Sequence, residues 1–212
     1  MTMDSEHYWS REAERFDRIY AADEGKVRGT LNRLMRGDME GRFRFALRHA
    51  LETPSPEVLD VGCGTGVYTA ALLRHGARFV TGVDLSERML DRAWLRLEDF
   101  SGRFELIRGD FMSTDLDRMY DTILIVGVFD YIATPLPFLR RAVGLTRGTV
   151  IATFPRAGTF RAWLRRARLT LKGCPVYFQT RSGIEALAAD CGLVLKDYEL
   201  IGQLHCVVLE RA

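Results

Sequence analysis

Between residues 58 and 154 the chain alternates five short apolar runs with helix-forming stretches, and this alternation narrows the possible folds more than any other feature. Parallel strands cannot be joined by tight turns; each needs a crossover, and a helix laid over the sheet is the usual one. Residues 58–61, 79–83, 104–107, 120–128 and 149–154 read as the strands. Ile123-Leu-Ile-Val126 is apolar without a break, which is the pattern of a strand buried on both faces. Residues 66–75, 86–98 and 135 to about 144 read as helices, with Ser86 placed to cap the second. Near the end, residues 182–191 suit a helix closed by Gly192, and 193–200 with 204–209 look like a hairpin-related strand pair. The first 50 residues read as two helices, 8–20 and about 26–51, with Thr53-Pro-Ser-Pro56 leading into the sheet.

Composition permits this fold and excludes several classes. At 212 residues, with 47% hydrophobic and 27% charged, the chain can bury one ordinary core without disulfide or metal staples. Cys63, Cys174, Cys191 and Cys206 are widely spaced with no CxxC or Cys/His ligand pattern, so reduced thiols and no metal are expected. No run approaches the roughly 20 apolar residues of a membrane span. Residues 1–15 are polar and carry no signal-like run, so a cytoplasmic location is expected.

The chemistry concentrates after the first strand. Asp60-Val-Gly-Cys-Gly-Thr-Gly66 joins a strand to a helix, where glycine permits a sharp bend and a close ligand approach. Its GxGxG spacing lacks the last glycine of a dinucleotide fingerprint, because Val67 stands in that frame. Asp60 would repel a pyrophosphate and attract an ammonium. Asp84, at the end of the second strand, can accept hydrogen bonds from both hydroxyls of a ribose. Gly109-Asp110-Phe111 follows the third strand and offers an acceptor for an exocyclic amine beside an aromatic face. A cation, a ribose, an adenine-like base and no phosphate describe S-adenosylmethionine (SAM) better than NAD.

With VLDVGCGTG (residues 58–66), GVDLSERML (82–90) and GDF (109–111), the chain resembles the class I SAM-dependent methyltransferases over about 58–154. The resemblance implies an α/β Rossmann-like fold: a seven-stranded, mostly parallel sheet with helices on both faces, the last strand antiparallel, and an N-terminal helical cap. It implies one domain, with residues 1–52 as the cap and 53–212 as the SAM-binding core, interrupted by a basic helical insertion at about 156–175. It assigns the methionine part to Gly62, Cys63, Gly64 and Gly66 beside Asp60, the ribose to Asp84 and the base to Asp110. Leu85 would pack on the adenine or ribose, Phe111 would flank the base, and Val126 would stand at the fourth strand's exit. Tyr8 or Tyr20 would touch the methionine carboxylate, or else simply pack with Trp9 and Phe16 on the sheet. S-adenosylhomocysteine (SAH) would be the product.

The acceptor is less legible. Residues 127–131 should face the transferred methyl, and no Asn-Pro-Pro-Tyr loop is present to hold a planar amine. Asp130, Tyr131 and His205 are candidates for a general base; equally, Asp130 can cap a helix, Tyr131 pack, and His205 sit in a terminal strand. Arg28 and Arg33 can serve the substrate or stay solvated. No carboxylate occurs between Asp130 and Glu185, against ten Lys or Arg. Within that stretch residues 160–172 form a basic amphipathic pattern, open to three readings: a helix on the core, a contact with an anionic membrane surface, or a lid over an acidic substrate. Nucleic acid is disfavoured for want of a second basic module. Residues 15–37, FDYI (129–132) and 174–193 are similar to the magnesium-protoporphyrin methyltransferase group, which implies O-methylation of a hydrophobic carboxylic acid. The expectation is therefore a methyltransferase for a small or amphipathic molecule, acting at oxygen by direct displacement, as monomer or homodimer. A non-catalytic SAM-binding protein and an NAD-dependent oxidoreductase are the alternatives.

Overall fold

The computed structural model describes residues 30–158 and 176–212. The expectations for Tyr8, Tyr20, Arg28, the side chain of Arg33, Cys174 and the basic helix 160–172 lie outside the described residues. Helix α1 (Thr30–Ala50) precedes β1 (Glu57–Val61), α2 (Val67–Arg74), β2 (Phe79–Asp84), α3 (Glu87–Leu97) and β3 (Phe104–Arg108). Then come β4 (Tyr120–Ile125), α4 (Pro135–Leu145), β5 (Thr146–Pro155), α5 (Arg181–Ala189), β6 (Leu193–Ile201) and β7 (Leu204–Arg211).

The seven strands lie in the order β3-β2-β1-β4-β5-β7-β6. Neighbours from β3 through β5 pair in parallel, while β7 pairs antiparallel with both β5 and β6. This is the seven-stranded, doubly covered sheet expected, with β7 the reversed strand. Strand order changes direction between β1 and β4, and in such sheets that switch point opens a crevice at the strands' carboxyl ends.

Side-chain alternation sorts two cores onto the two faces. Leu59, Ile123, Val150 and Val207 face α4 and α5, burying Phe138, Leu139, Ile184 and Ala188. Val58, Leu124, Ile151 and Val208 face α1, α2 and α3, burying Phe45, Leu72 and Leu97. The same alternation places Asp60 and Asp84 toward the second face, under the start of α2. Helix α1 lies close enough over the β6–β7 turn that a Cβ on Gly41 would stand 2.7 Å from Ile201. Ser86 caps α3 as expected, its hydroxyl accepting from the Met89 amide.

Two strand boundaries differ from expectation by three residues. Strand β4 ends at Ile125 rather than near 128, because Gly127 turns the chain at φ 76° and donates its amide to the Thr153 hydroxyl at 2.9 Å. The backbone donor that would have continued the ladder is thereby diverted to a side chain, and Phe129–Tyr131 coils into a short 3-10 turn. Strand β5 begins earlier, at Thr146, where the Thr146 hydroxyl donates to the Tyr120 carbonyl across a register shift.

Gly66 is held at φ 73°, and a Cβ there would lie 3.0 Å from the Ala93 Cβ and 3.3 Å from its Cα. That glycine therefore sets how closely α2 starts against α3. Gly66→Ala should destabilise the fold by about 2–3 kcal/mol, from the left-handed backbone cost plus overpacking, measured by urea denaturation; an unchanged midpoint would contradict this packing.

Candidate functional site

The exits of β1 and β4 meet at the switch point. Gly62 is exposed at φ 70°, and a Cβ on it would strike the Val128 side chain at 2.5 Å. A larger residue would close the crevice where the two loops adjoin. Beneath it, Gly82 of β2 leaves room for the Cys63 side chain, whose sulfur would be 2.9 Å from a Cβ at that position. Cys63 is buried, with its thiol packed against β2 under the turn.

The amides of this turn point inward. Gly62 and Cys63 both donate to the Val83 carbonyl, at 2.7 and 3.2 Å, and Gly66 donates to the Cys63 carbonyl at 3.0 Å. Gly64 donates to Asp84 Oδ2 and Ser86 to Asp84 Oδ1, each at 2.9 Å. Phosphate-binding loops need these same amides aimed at the ligand. Here β2 and the Asp84 carboxylate already hold them.

Two acids lie behind the turn. Asp60 is 3% exposed and accepts a 2.7 Å hydrogen bond from the Thr69 hydroxyl of α2. Burial, together with the nearby charge of Asp84, pushes its carboxyl up to about 7, against the Thr69 bond. Burial likewise raises Asp84, opposed by the amides of Ser86 and Gly64. The Cys63 thiol is pushed well up, by burial first and then by both carboxylates. All three groups are poorly hydrated, and carboxylate charge acts on Asp60 and Cys63, so the spot favours a cation and disfavours a phosphate. The bonds from Gly64 and Ser86 orient the Asp84 carboxylate while each oxygen keeps a second lone pair for a hydroxyl.

Asp110 and Phe111 follow β3 on the same edge of the sheet. Asp110 Oδ1 accepts from the Met112 amide at 3.0 Å. The Phe111 ring is 4% exposed and packs on Phe138 at 4.7 Å, with the Arg141 guanidinium 5.3 Å above it. It is therefore a core ring with little face left for a base, which corrects the flanking role expected of it. Leu85 is half-buried beside Asp84, and Val126 is half-buried, packed against the core under α1 and α2.

The candidate bases separate. Asp130 is buried at the β4 exit, and its carbonyl accepts from the Tyr177 amide at 2.8 Å. Tyr131 is half-buried in the same turn. His205 is buried in β7: Nε2 faces the Gln179 carbonyl at 3.2 Å and must carry the proton, so Nδ1 accepts from the Tyr198 hydroxyl at 2.9 Å. Burial and the charges of Arg156 and Arg181 depress its pKa, against the Gln179 bond. Both ring nitrogens are engaged, so His205 ties strand to loop and is not placed to take a substrate proton.

One residue escaped the sequence reading. Arg42 of α1 brings Nη1 to 3.8 Å from where a Cβ of Gly127 would stand, setting a cation over the β4 exit. Its charge also acts on Cys206, whose thiol burial pushes up to about 12. The only signal for Arg42 in the sequence is its place on a helix preceding β1, which does not distinguish it from Arg44 or Arg48.

Residues 58–147 match the family model described as methyltransferase domain. A ubiquinone biosynthesis O-methyltransferase of Neisseria meningitidis serogroup C is 29% identical over 93 residues, 42% of this chain and 39% of that protein. A demethylmenaquinone methyltransferase of Tropheryma whipplei is 44% identical over 75 residues, 35% of this chain and 30% of that protein. These alignments thus span well under half the length of the curated relatives. Magnesium protoporphyrin IX methyltransferase from Synechocystis PCC 6803, solved with SAH, superimposes with a TM-score of 0.80 at 19% identity, covering 98% of both chains. At that identity the likeness is one of fold, and it extends beyond the matched domain to α1 and the β6–β7 pair.

The raised pKa of Asp60 has a consequence for stability. Its carboxyl ionises more readily in the unfolded chain, so between about pH 4 and 7 the unfolded form releases a proton that the folded form retains. Stability should fall across that window and level off above it. Asp60→Asn keeps an acceptor for Thr69 and should remove the loss, worth up to about 4 kcal/mol above pH 7. Parallel urea titrations at pH 5 and 8 check this; equal pH dependence in both proteins would contradict it.

Proposed function

We propose that this chain is a SAM-dependent methyltransferase acting at an oxygen of a small or amphipathic acceptor. The observation that carries the cofactor choice is the pair Asp60 and Asp84 under a turn whose amides are donated inward. The match of residues 58–147 to a methyltransferase domain supports the same reading. Dinucleotides fit poorly, since their pyrophosphate would meet two carboxylates and no open row of amides.

When bound, the cofactor supplies an electrophilic methyl on a sulfonium and a good leaving group. The chain's task is to orient and dehydrate. Asp84 holds the ribose hydroxyls through an already oriented carboxylate, and Asp110 accepts from the amine of the base. The exposed Gly62 lets the methionine part approach the backbone, Asp60 supplies a field for its ammonium, and Arg42 takes its carboxylate. The acceptor then enters over Gly127 to Tyr131.

For acceptor oxygen, support comes from a relative that is an O-methyltransferase of ubiquinone biosynthesis. An acceptor already ionised, such as a carboxylate, needs no general base. That agrees with a His205 whose two nitrogens are both engaged.

Titration calorimetry tests the cofactor choice. SAM and SAH should bind and NAD should not, while Asp84→Ala weakens SAH by about 100-fold, the loss of two hydrogen bonds to a charged acceptor. Arg42→Leu should weaken SAH by about tenfold and leave free adenosine unchanged. Absence of SAH binding to the unaltered protein would sink the proposal.

A further inference from the structure

We infer that Arg141 is a positioning residue for base recognition: from α4 it braces the loop after β3 so that the Asp110 carboxylate is held toward an adenine amine. The inference rests on the proposed cofactor reading. The loop closes upon Asp110, whose carbonyl accepts from the Ser113 amide at 2.9 Å, the Thr114 amide at 2.8 Å and the Thr114 hydroxyl at 2.8 Å. A Cβ at Gly109 would lie 2.4 Å from Thr114 Oγ1, so Thr114 folds tightly back over the strand exit.

All these bonds are local, and a short loop held by local bonds at a solvated edge opens readily. At its start the Gly109 amide donates to the Asp84 carbonyl of β2 at 3.0 Å; beyond Asp110, helix α4 ties it down. Phe138 and Arg141 stand three residues apart on one helix face, and both reach Phe111. Arg141 Nη2 also donates to the Thr114 carbonyl. One planar cation therefore holds the loop at Phe111, next to Asp110, and at Thr114, which folds back onto the Asp110 carbonyl. A guanidinium can stack on a ring and donate sideways at once, whereas a lysine ammonium is a single point donor. The Arg141 Nε is buried without a hydrogen-bond partner among the described residues, an arrangement poor for stability alone. Stability by itself would favour an apolar residue covering Phe111. Holding the loop accounts for an arginine instead.

The test measures calorimetric Kd values of the full chain for SAH and for S-inosylhomocysteine, in which a carbonyl oxygen replaces the adenine amine. The unaltered protein should prefer SAH by at least about tenfold, because Asp110 accepts from the amine and opposes the carbonyl. Arg141→Met keeps an apolar stem over Phe111 but removes the donors. It should weaken SAH by about tenfold, leave the inosine analogue nearly unchanged, and abolish most of the preference. Arg141→Lys should fall between, at about threefold, and carries the test if circular dichroism shows Arg141→Met unfolded. A variant that binds SAH with the preference intact would overturn the inference, since a merely structural loss lowers the folded fraction without changing that ratio. If the unaltered protein fails to bind SAH, the cofactor reading itself falls; if it binds both ligands equally, the role of Asp110 and with it this inference falls, and either is seen before any substitution is made.

Discussion

The whole site depends on one arrangement: a buried and a half-buried carboxylate on adjacent strands under a turn whose amides are donated to the neighbouring strand. Asp60 is carried by β1 and Asp84 by β2, and the parallel register of these strands brings both toward the same face. The Val83 carbonyl and the Asp84 carboxylate collect the amides of Gly62, Cys63 and Gly64. A turn that looks like an anion cradle in sequence is thereby converted into a surface that prefers a cation. Its cost is visible in the raised pKa of Asp60 and in the field on Cys63. Stability alone would not select a buried Asp60 beside the Asp84 charge in this place. A ligand carrying positive charge relieves them.

The rest of the fold frames that pair. The switch between β1 and β4 opens the crevice, Gly62 keeps it open against Val128, and Gly127 ends β4 early enough to turn its exit outward. Helices on opposite faces then supply two cations from the flanks. Arg42 of α1 stands over the β4 exit, and Arg141 of α4 braces the loop beyond β3. The acids are central and the cations peripheral, an order that suits a ligand with a cationic centre and both carboxylate and base at its ends.

Much of this was legible in sequence because the informative contacts are local. The strand–turn–helix around residues 58–66, the acid closing β2 and the acid after β3 each depend on neighbours a few positions away. The cap at Ser86 and the β6–β7 pair were readable for the same reason. What escaped depends on tertiary packing. No local rule ends β4 at Ile125; the Thr153 hydroxyl that captures the Gly127 amide comes from another strand. Phe111 read as a platform for a base, yet Phe138 and Arg141 of α4 enclose its ring. His205 was one of three candidate bases with a strand position as the alternative; Tyr198 and the Gln179 carbonyl occupy both its nitrogens. Arg42 had no distinguishing pattern at all, since its role comes from where α1 crosses the sheet.

A crystal structure with SAH bound tests the central claim most directly. The account predicts both ribose hydroxyls within about 2.7 Å of the Asp84 carboxylate, the amino group over the Asp60 side of the turn, and the base amine at Asp110. SAH lying elsewhere, or with its ribose turned away from Asp84, would contradict it.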